Sequence, residues 1–111
     1  MRGFQIGKNI QDRTKTHIVL DGRNVAIRYG ESAGGVAQFK SQGILLAVKY
    51  WHDKGHPVMV ILPDYCFDER EVEKRRLNRL TVSDEKTLPD DCKSLKELKT
   101  QVRILFFLNV V

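Results

Sequence analysis

Three short apolar runs, separated by more chain than a hairpin uses, constrain this 111-residue sequence more than anything else in it. They are "HIVLD" (17–21), "HPVMVILPD" (56–64) and "VRILFFLNVV" (102–111). β-Branched and aromatic residues crowd them, as in buried strands. Antiparallel neighbours are joined by tight turns, whereas parallel neighbours need a crossover of about a dozen residues or more, usually helical. The spacing therefore predicts one domain of the α/β class, a parallel sheet flanked and covered on both faces by helices, with right-handed crossovers.

The intervening chain supplies those helices. "SQGILLAVKYWHDKG" (41–55) has Ser41 at its start, Gly55 just past its end and apolar residues around most of its circumference, which suits a helix lying on a sheet. Trp51 belongs to its core side. "FDEREVEKRRLNRL" (67–80) has a capping-box-like start in Asp68 and Glu71, and its thin stripe of Val72, Leu77 and Leu80 predicts a surface helix. "DDCKSLKELKT" (90–100) reads as a further short helix capped by Asp90 or Asp91. The four glycines of "RYGESAGGVAQFKSQG" (28–43) predict a loop, "TVSDEKTLPDD" a turn-rich connection, and residues 1–16 a polar lead-in.

Composition limits what such a domain does. With 41% hydrophobic and 30% charged residues the chain is globular and not disordered. The first sixteen residues lack the apolar centre of a signal peptide, and no run approaches the roughly 20 apolar residues of a membrane span, so no membrane partner is expected. Two cysteines, Cys66 and Cys92, form neither a disulfide framework nor a zinc pattern and suit a reducing, cytoplasmic or nuclear setting as idle thiols. A net charge of +5 and a pI near 9.4 favour a polyanion such as nucleic acid, and equally describe a basic solvated surface.

Ligands of open parallel sheets bind beyond the carboxyl ends of the strands. Asp21 ends the first strand there, Asp64 follows the second and Asn109 lies late in the third, so the strand order alone brings all three toward one cleft. Asp21 then has three readings. It bonds amides of the next turn, as aspartate before glycine commonly does. It is a phosphotransferase nucleophile of the haloacid-dehalogenase kind, which Arg23 disfavours by standing where a second aspartate is needed. Or it is one of several carboxylates that hold Mg²⁺ for phosphodiester hydrolysis. His52 and His56 have no metal-ligand spacing.

"VLDGRNVA" followed by "GILLAVKYWHDKGHPVMVILP" closely resembles the Regnase-type NYN ribonuclease domain of the PIN-like nuclease superfamily. That family shows a strand ending in Asp-Gly-x-Asn-Val-Ala, a Gly-Ile-Leu-Leu-Ala-Val helix closing on Gly-His, and a hydrophobic strand ending in Val-Pro. The likeness runs from His17 through Pro63, with a weaker echo in "LKELKTQVRILFF". It implies a metal-dependent endoribonuclease, cleaving single-stranded or stem-loop messenger RNA, with Mg²⁺ (or Mn²⁺ in its place) held by aspartates.

Carried over, Asp21 is the first metal-binding and catalytic aspartate. Asn24 orients its carboxylate, and Gly22 allows the tight turn; a plain Asx turn and a turn glycine are the structural alternatives. Arg23, Arg28 and Lys40 are candidate RNA phosphate contacts by proximity to the motif, with Lys49 and Lys54 behind them. Tyr29 is a base-stacking or a packing residue, and His56 a structural one. The family's remaining catalytic aspartates follow its third strand, and the chain ends at Val111 before any counterpart. An incomplete sheet of that kind exposes a strand edge, hence an expectation of self-association. An inactive RNA-binding or protein-interaction module of the same fold is the alternative.

Overall fold

In the computed structural model, which describes residues 16–78 and 86–107, the three apolar runs form one sheet. β1 (Ile18–Asp21), β2 (Val58–Pro63) and β3 (Arg103–Phe107) lie in the order β1-β2-β3, all parallel. Asp21 stands opposite Ile61, and Pro63 opposite Phe107, so all strands deliver their carboxyl ends to one side. The mixed α/β class and the parallel sheet with its flanking helices are as the spacing predicts. The lead-in up to residue 15, Leu80, residues 81–85 and Asn109 lie outside the described residues.

Between β1 and β2 run α1 (Gly22–Gly34) and α2 (Ser41–Asp53); α3 (Glu69–Leu77) and α4 (Cys92–Lys99) follow β2. A single 3-10 turn, Asp64–Phe67, links Pro63 to α3. α1 is the element the glycine count hides, for its second half, residues 28–34, falls on the stretch expected to be a loop. Gly22, Ala26 and Gly30 recur every fourth residue and are buried on one face, so small residues here mark close helix packing. A Cβ on Gly30 would strike the backbone oxygen of Gln38, and one on Gly43 of α2 would strike the Tyr29 side chain. Tyr29 thereby takes the packing role of its two readings. The helix ends at Gly35, whose φ of 74° is left-handed and whose N–H donates to the Glu31 carbonyl at 3.0 Å.

The core lies between the helices and the sheet face carrying Val58, Val60 and Leu62, where Ala26, Phe39, Ile44, Leu45, Val48, Leu95 and Leu98 are also buried. Each large aliphatic side chain so buried contributes about 1.5–3 kcal/mol of transfer free energy. Val19, one residue out of phase on β1, stays 57% exposed. Trp51 is partly buried against the core as expected. On α3 the apolar stripe narrows to Val72, because Leu77 is 76% exposed.

Two adjacent aspartates secure two different helices. α2 has no side-chain cap of its own, since Lys40 precedes it and Ser41 is its first helical residue rather than its cap. Asp90 supplies the missing acceptor from across the chain: its Oδ1 takes the Ser41 amide at 2.9 Å and the Ser41 hydroxyl at 2.7 Å. Asp91 caps α4, accepting from the Ser94 amide at 3.0 Å and the Ser94 hydroxyl at 2.7 Å. These bonds from Ser94, the hydroxyl's foremost, hold the Asp91 carboxyl below its ordinary value of 3.8.

Replacing either aspartate removes a cap worth about 1 kcal/mol, and Asp90→Ala is expected to cost up to about 2 kcal/mol because Ser41 is then buried without its partner. Urea unfolding midpoints check both. Because the Asp91 carboxyl titrates lower in the folded state, its contribution is full above the ordinary 3.8 and is lost as pH falls through the folded value. The stability gap between wild type and Asp91→Ala is therefore expected to close on acidification, and a gap that widens would contradict the capping role.

Candidate functional site

Asp21 is the last residue of β1 and the N-cap of α1 at once. An extended backbone (φ −76°, ψ 98°) ends the strand, and the Asp21 Oδ1 accepts the Asn24 amide at 3.3 Å. The turn-capping reading of this carboxylate is thus realised. It uses one acceptor site of an exposed group and leaves the other oxygen toward solvent, so capping and ligation are compatible. Asn24 enters the cap through its main chain, with its side chain exposed.

Gly22 explains how the aspartate comes to lie against the centre of the sheet. A Cβ at this position would lie 2.6 Å from Leu62 Cδ2 and 3.0 Å from the Ile61 carbonyl oxygen. Only a residue without a side chain lets α1 start directly beside β2. The same approach carries Arg23 toward the 3-10 turn after β2, where its Nη1 donates to the Tyr65 hydroxyl at 3.4 Å. Asp64, exposed, opens that turn, three residues beyond the register partner of Asp21.

The other basic candidates divide by position. Arg28 on α1 and Lys40 before α2 are exposed, and the Lys40 amide donates to the Ala26 carbonyl at 3.2 Å, which sets it beside the first half of α1. No described contact joins either side chain to Asp21. Lys49 forms an exposed pair with Asp53 at 2.7 Å and Lys54 lies 4.8 Å over the Tyr50 ring, both on the stretch of α2 that leads to the start of β2. They belong to the amino end of the sheet, away from Asp21. His56 sits there too, its Nδ1–H donating to the Thr16 carbonyl at 2.8 Å and its ring edge-on to Trp51, in the structural role expected of it. A hollow of about 270 Å³ lined by His17, Val19, Pro57, Met59 and Val102 also opens at that amino end. It is remote from the strand tips and carries no cluster of convergent polar groups.

Two residues of the site were missed from the sequence. Tyr65 is 5% exposed and receives Arg23 on its hydroxyl and Arg75 of α3 on its ring, the Arg75 Cζ being 4.1 Å from the ring centre. Within "EKRR" nothing distinguishes Arg75 from its neighbours, and "PDYCF" has no periodic signature. The next residue, Cys66, is fully buried, and its thiol is pushed up to about 12, first by burial and then by Cys92. Burial raises Cys92 as well. Both are inert thiols, as the cysteine count suggested.

Among the described residues no three His, Cys, Asp or Glu side chains come together as a metal cage. Mg²⁺ asks for less than that: it commonly takes one or two carboxylates, with water and substrate phosphate completing its shell. The exposed, singly engaged Asp21 carboxylate suits one such place. No helix of the described residues is long and apolar enough to cross a membrane.

Gly22→Ala is expected to destabilise the fold by about 1–3 kcal/mol, since Leu62 and the β2 backbone must yield; the urea midpoint measures it. Cys66 in the folded chain is expected to resist iodoacetamide at about pH 8, where an unfolded cysteine is labelled readily. Peptide mass mapping reads this, and rapid labelling of Cys66 in native protein would contradict its burial.

With this geometry in place, the family model of the Zc3h12a-like ribonuclease NYN domain matches residues 14–105. No solved structure matches the chain.

Proposed function

The chain belongs to the Zc3h12a-like ribonuclease NYN family, and from that premise we propose that it is a metal-dependent endoribonuclease centred on Asp21. The family is one of ribonucleases, so RNA is the substrate class. The observation that carries the finer reading is Asp21 itself: an exposed carboxylate with one oxygen bonded to Asn24, at the carboxyl end of a parallel strand. Mg²⁺, with Mn²⁺ as substitute, is the proposed cofactor; when bound, it polarises the scissile phosphate and lowers the pKa of water.

The chain's own residues prepare that chemistry. Gly22 brings the start of α1 against β2 and so fixes the height of the Asp21 carboxylate. The Asn24 amide orients it. Arg23 stands one residue beyond Gly22 and supplies positive charge for RNA phosphates, with Arg28 and Lys40 flanking it along α1. A chain of net charge +5 attracts RNA over a distance set by salt. Single-stranded or stem-loop messenger RNA in the cytoplasm is the substrate we propose, on the strength of the family. The β1 and β3 edges of the described sheet suit pairing with a second chain.

The second reading is a non-catalytic RNA-binding module, and it rests on the described residues forming no three-ligand metal cage around Asp21. Cleavage of a labelled single-stranded RNA in Mg²⁺ or Mn²⁺, by the wild type beside Asp21→Asn, separates the two. The nuclease reading expects cleavage that excess chelator abolishes and that falls by at least about 100-fold in the variant, the size seen when a group stabilising transition-state charge is lost. A folded wild type that binds this RNA and leaves it intact supports the module instead.

A further inference from the structure

Tyr65 makes two cationic contacts beyond its packing in the core. Its ring is buried at 5% exposure in the turn that follows β2, yet two cations from two different helices end on it. Arg23, from the first turn of α1, donates through Nη1 to the hydroxyl at 3.4 Å; Arg75, from the last turn of α3, lays its guanidinium over the ring at 4.1 Å. The Cys66 thiol next door, raised chiefly by burial, also feels the charges of Arg23, Arg75 and Asp64.

The placement of Arg75 is itself built up in steps. Asp68 caps α3, accepting the Arg70 and Glu71 amides at 3.0 and 3.2 Å. Glu71 then takes the Arg75 Nε at 3.1 Å, one turn on, which holds the side chain over Tyr65. That contact engages Nε and leaves the two terminal amino groups of the guanidinium outside it. Arg23 pairs with no carboxylate among the described residues. Two guanidiniums on one buried ring repel each other, and of the described carboxylates only Glu71 is bonded to either of them, to Arg75. The arrangement suits a third party that is anionic, and cations held in advance bind it without the cost of ordering long side chains. Both stand at the carboxyl end of the sheet, on the side where Asp21 lies.

We propose that Tyr65 is a positioning residue, which holds Arg23 and Arg75 as a pair of backbone-phosphate contacts for single-stranded RNA beside Asp21. This rests on the ribonuclease reading above for the identity of the anion. Arg23 and Arg75 make the contacts; Tyr65 acts through them.

The test is binding of a fluorescent single-stranded oligouridine to the 111-residue chain, in chelator so that no cleavage intervenes, over a series of KCl concentrations. Each phosphate contact adds about 0.7 to the slope of log affinity against log salt for single strands. Arg23→Ala and Arg75→Ala are each expected to flatten the slope by about that amount. Tyr65→Phe keeps the ring beneath Arg75 and removes the hydroxyl from Arg23, so it is expected to match Arg23→Ala. The double variant Arg23→Ala/Tyr65→Phe is expected to lose nothing more, the signature of two residues acting as one contact.

A wild-type slope in Arg23→Ala, losses that add in the double variant, or no binding by the wild type would each overturn the proposal. If Tyr65→Phe does not fold, Arg23→Lys carries the test. It keeps the charge but not the planar donor, so a slope close to that of Arg23→Ala supports positioning and a wild-type slope overturns it. Salt slopes that shift as expected in a chain without cleavage would leave this inference standing and the nuclease reading fallen. Asp21-dependent cleavage with unshifted slopes would do the reverse.

Discussion

The contact between the first residue of α1 and the middle strand governs the rest of this structure. Gly22 lies so close to Leu62 and the Ile61 carbonyl that a methyl group has no room. This closeness converts the half-exposed strand β1 directly into a helix, with Asp21 as the last residue of one and the cap of the other. An aspartate at the tip of an apolar run is costly if buried. Here it stands at the surface, satisfied by an amide of the helix it starts. The same step turns Arg23 toward the loop that leaves β2, and so joins the first and second strands at their carboxyl ends.

A second level of organisation rests on residues far apart in sequence. Asp90 closes the amino end of α2, forty-nine residues before it. Its neighbour Asp91 does the same for α4. The two bonds from Ser41 to Asp90 tie the second half of the chain to the first, while the two from Ser94 to Asp91 stay within the start of α4; in each pair one bond gives an acceptor to an amide left without one at a helix end. Tyr65 plays the corresponding part at the strand tips, where it collects α1 and α3 around the turn after β2.

How far the sequence was legible follows from the range of the forces involved. The strands were readable because apolar β-branched runs declare themselves locally, and their parallel order followed from the crossover lengths. Asp68 was readable as a cap for the same reason, and Gly55 as the residue beyond α2, where φ is 83°. α1 was not, because its glycines signal a loop until a neighbouring helix is present to require small residues. The capping of α2 by Asp90 was illegible too: Ser41 looks like an ordinary N-cap, and only tertiary structure shows it as the donor. At the site, Asp21, Gly22 and Asn24 stood out through a short motif and its family likeness. Arg28 and Lys40 stand close to the motif in sequence, and that closeness does not report which way an exposed side chain turns. Tyr65 and Arg75 carry no local signal at all, since their meaning lies in a ring shared by two helices.

In the function proposed for this chain, metal and RNA meet at the carboxyl end of the sheet around Asp21 rather than at the hollow at its amino end. The most direct measurement is paramagnetic broadening of backbone amide resonances by Mn²⁺, in the presence of a single-stranded RNA with non-hydrolysable linkages. Amides of Gly22, Arg23 and Asn24 and of the Asp64–Phe67 turn are expected to broaden first, and Asp21→Asn to abolish the effect. Broadening centred on His17, His56 and Pro57's neighbours, unchanged by that substitution, would contradict it.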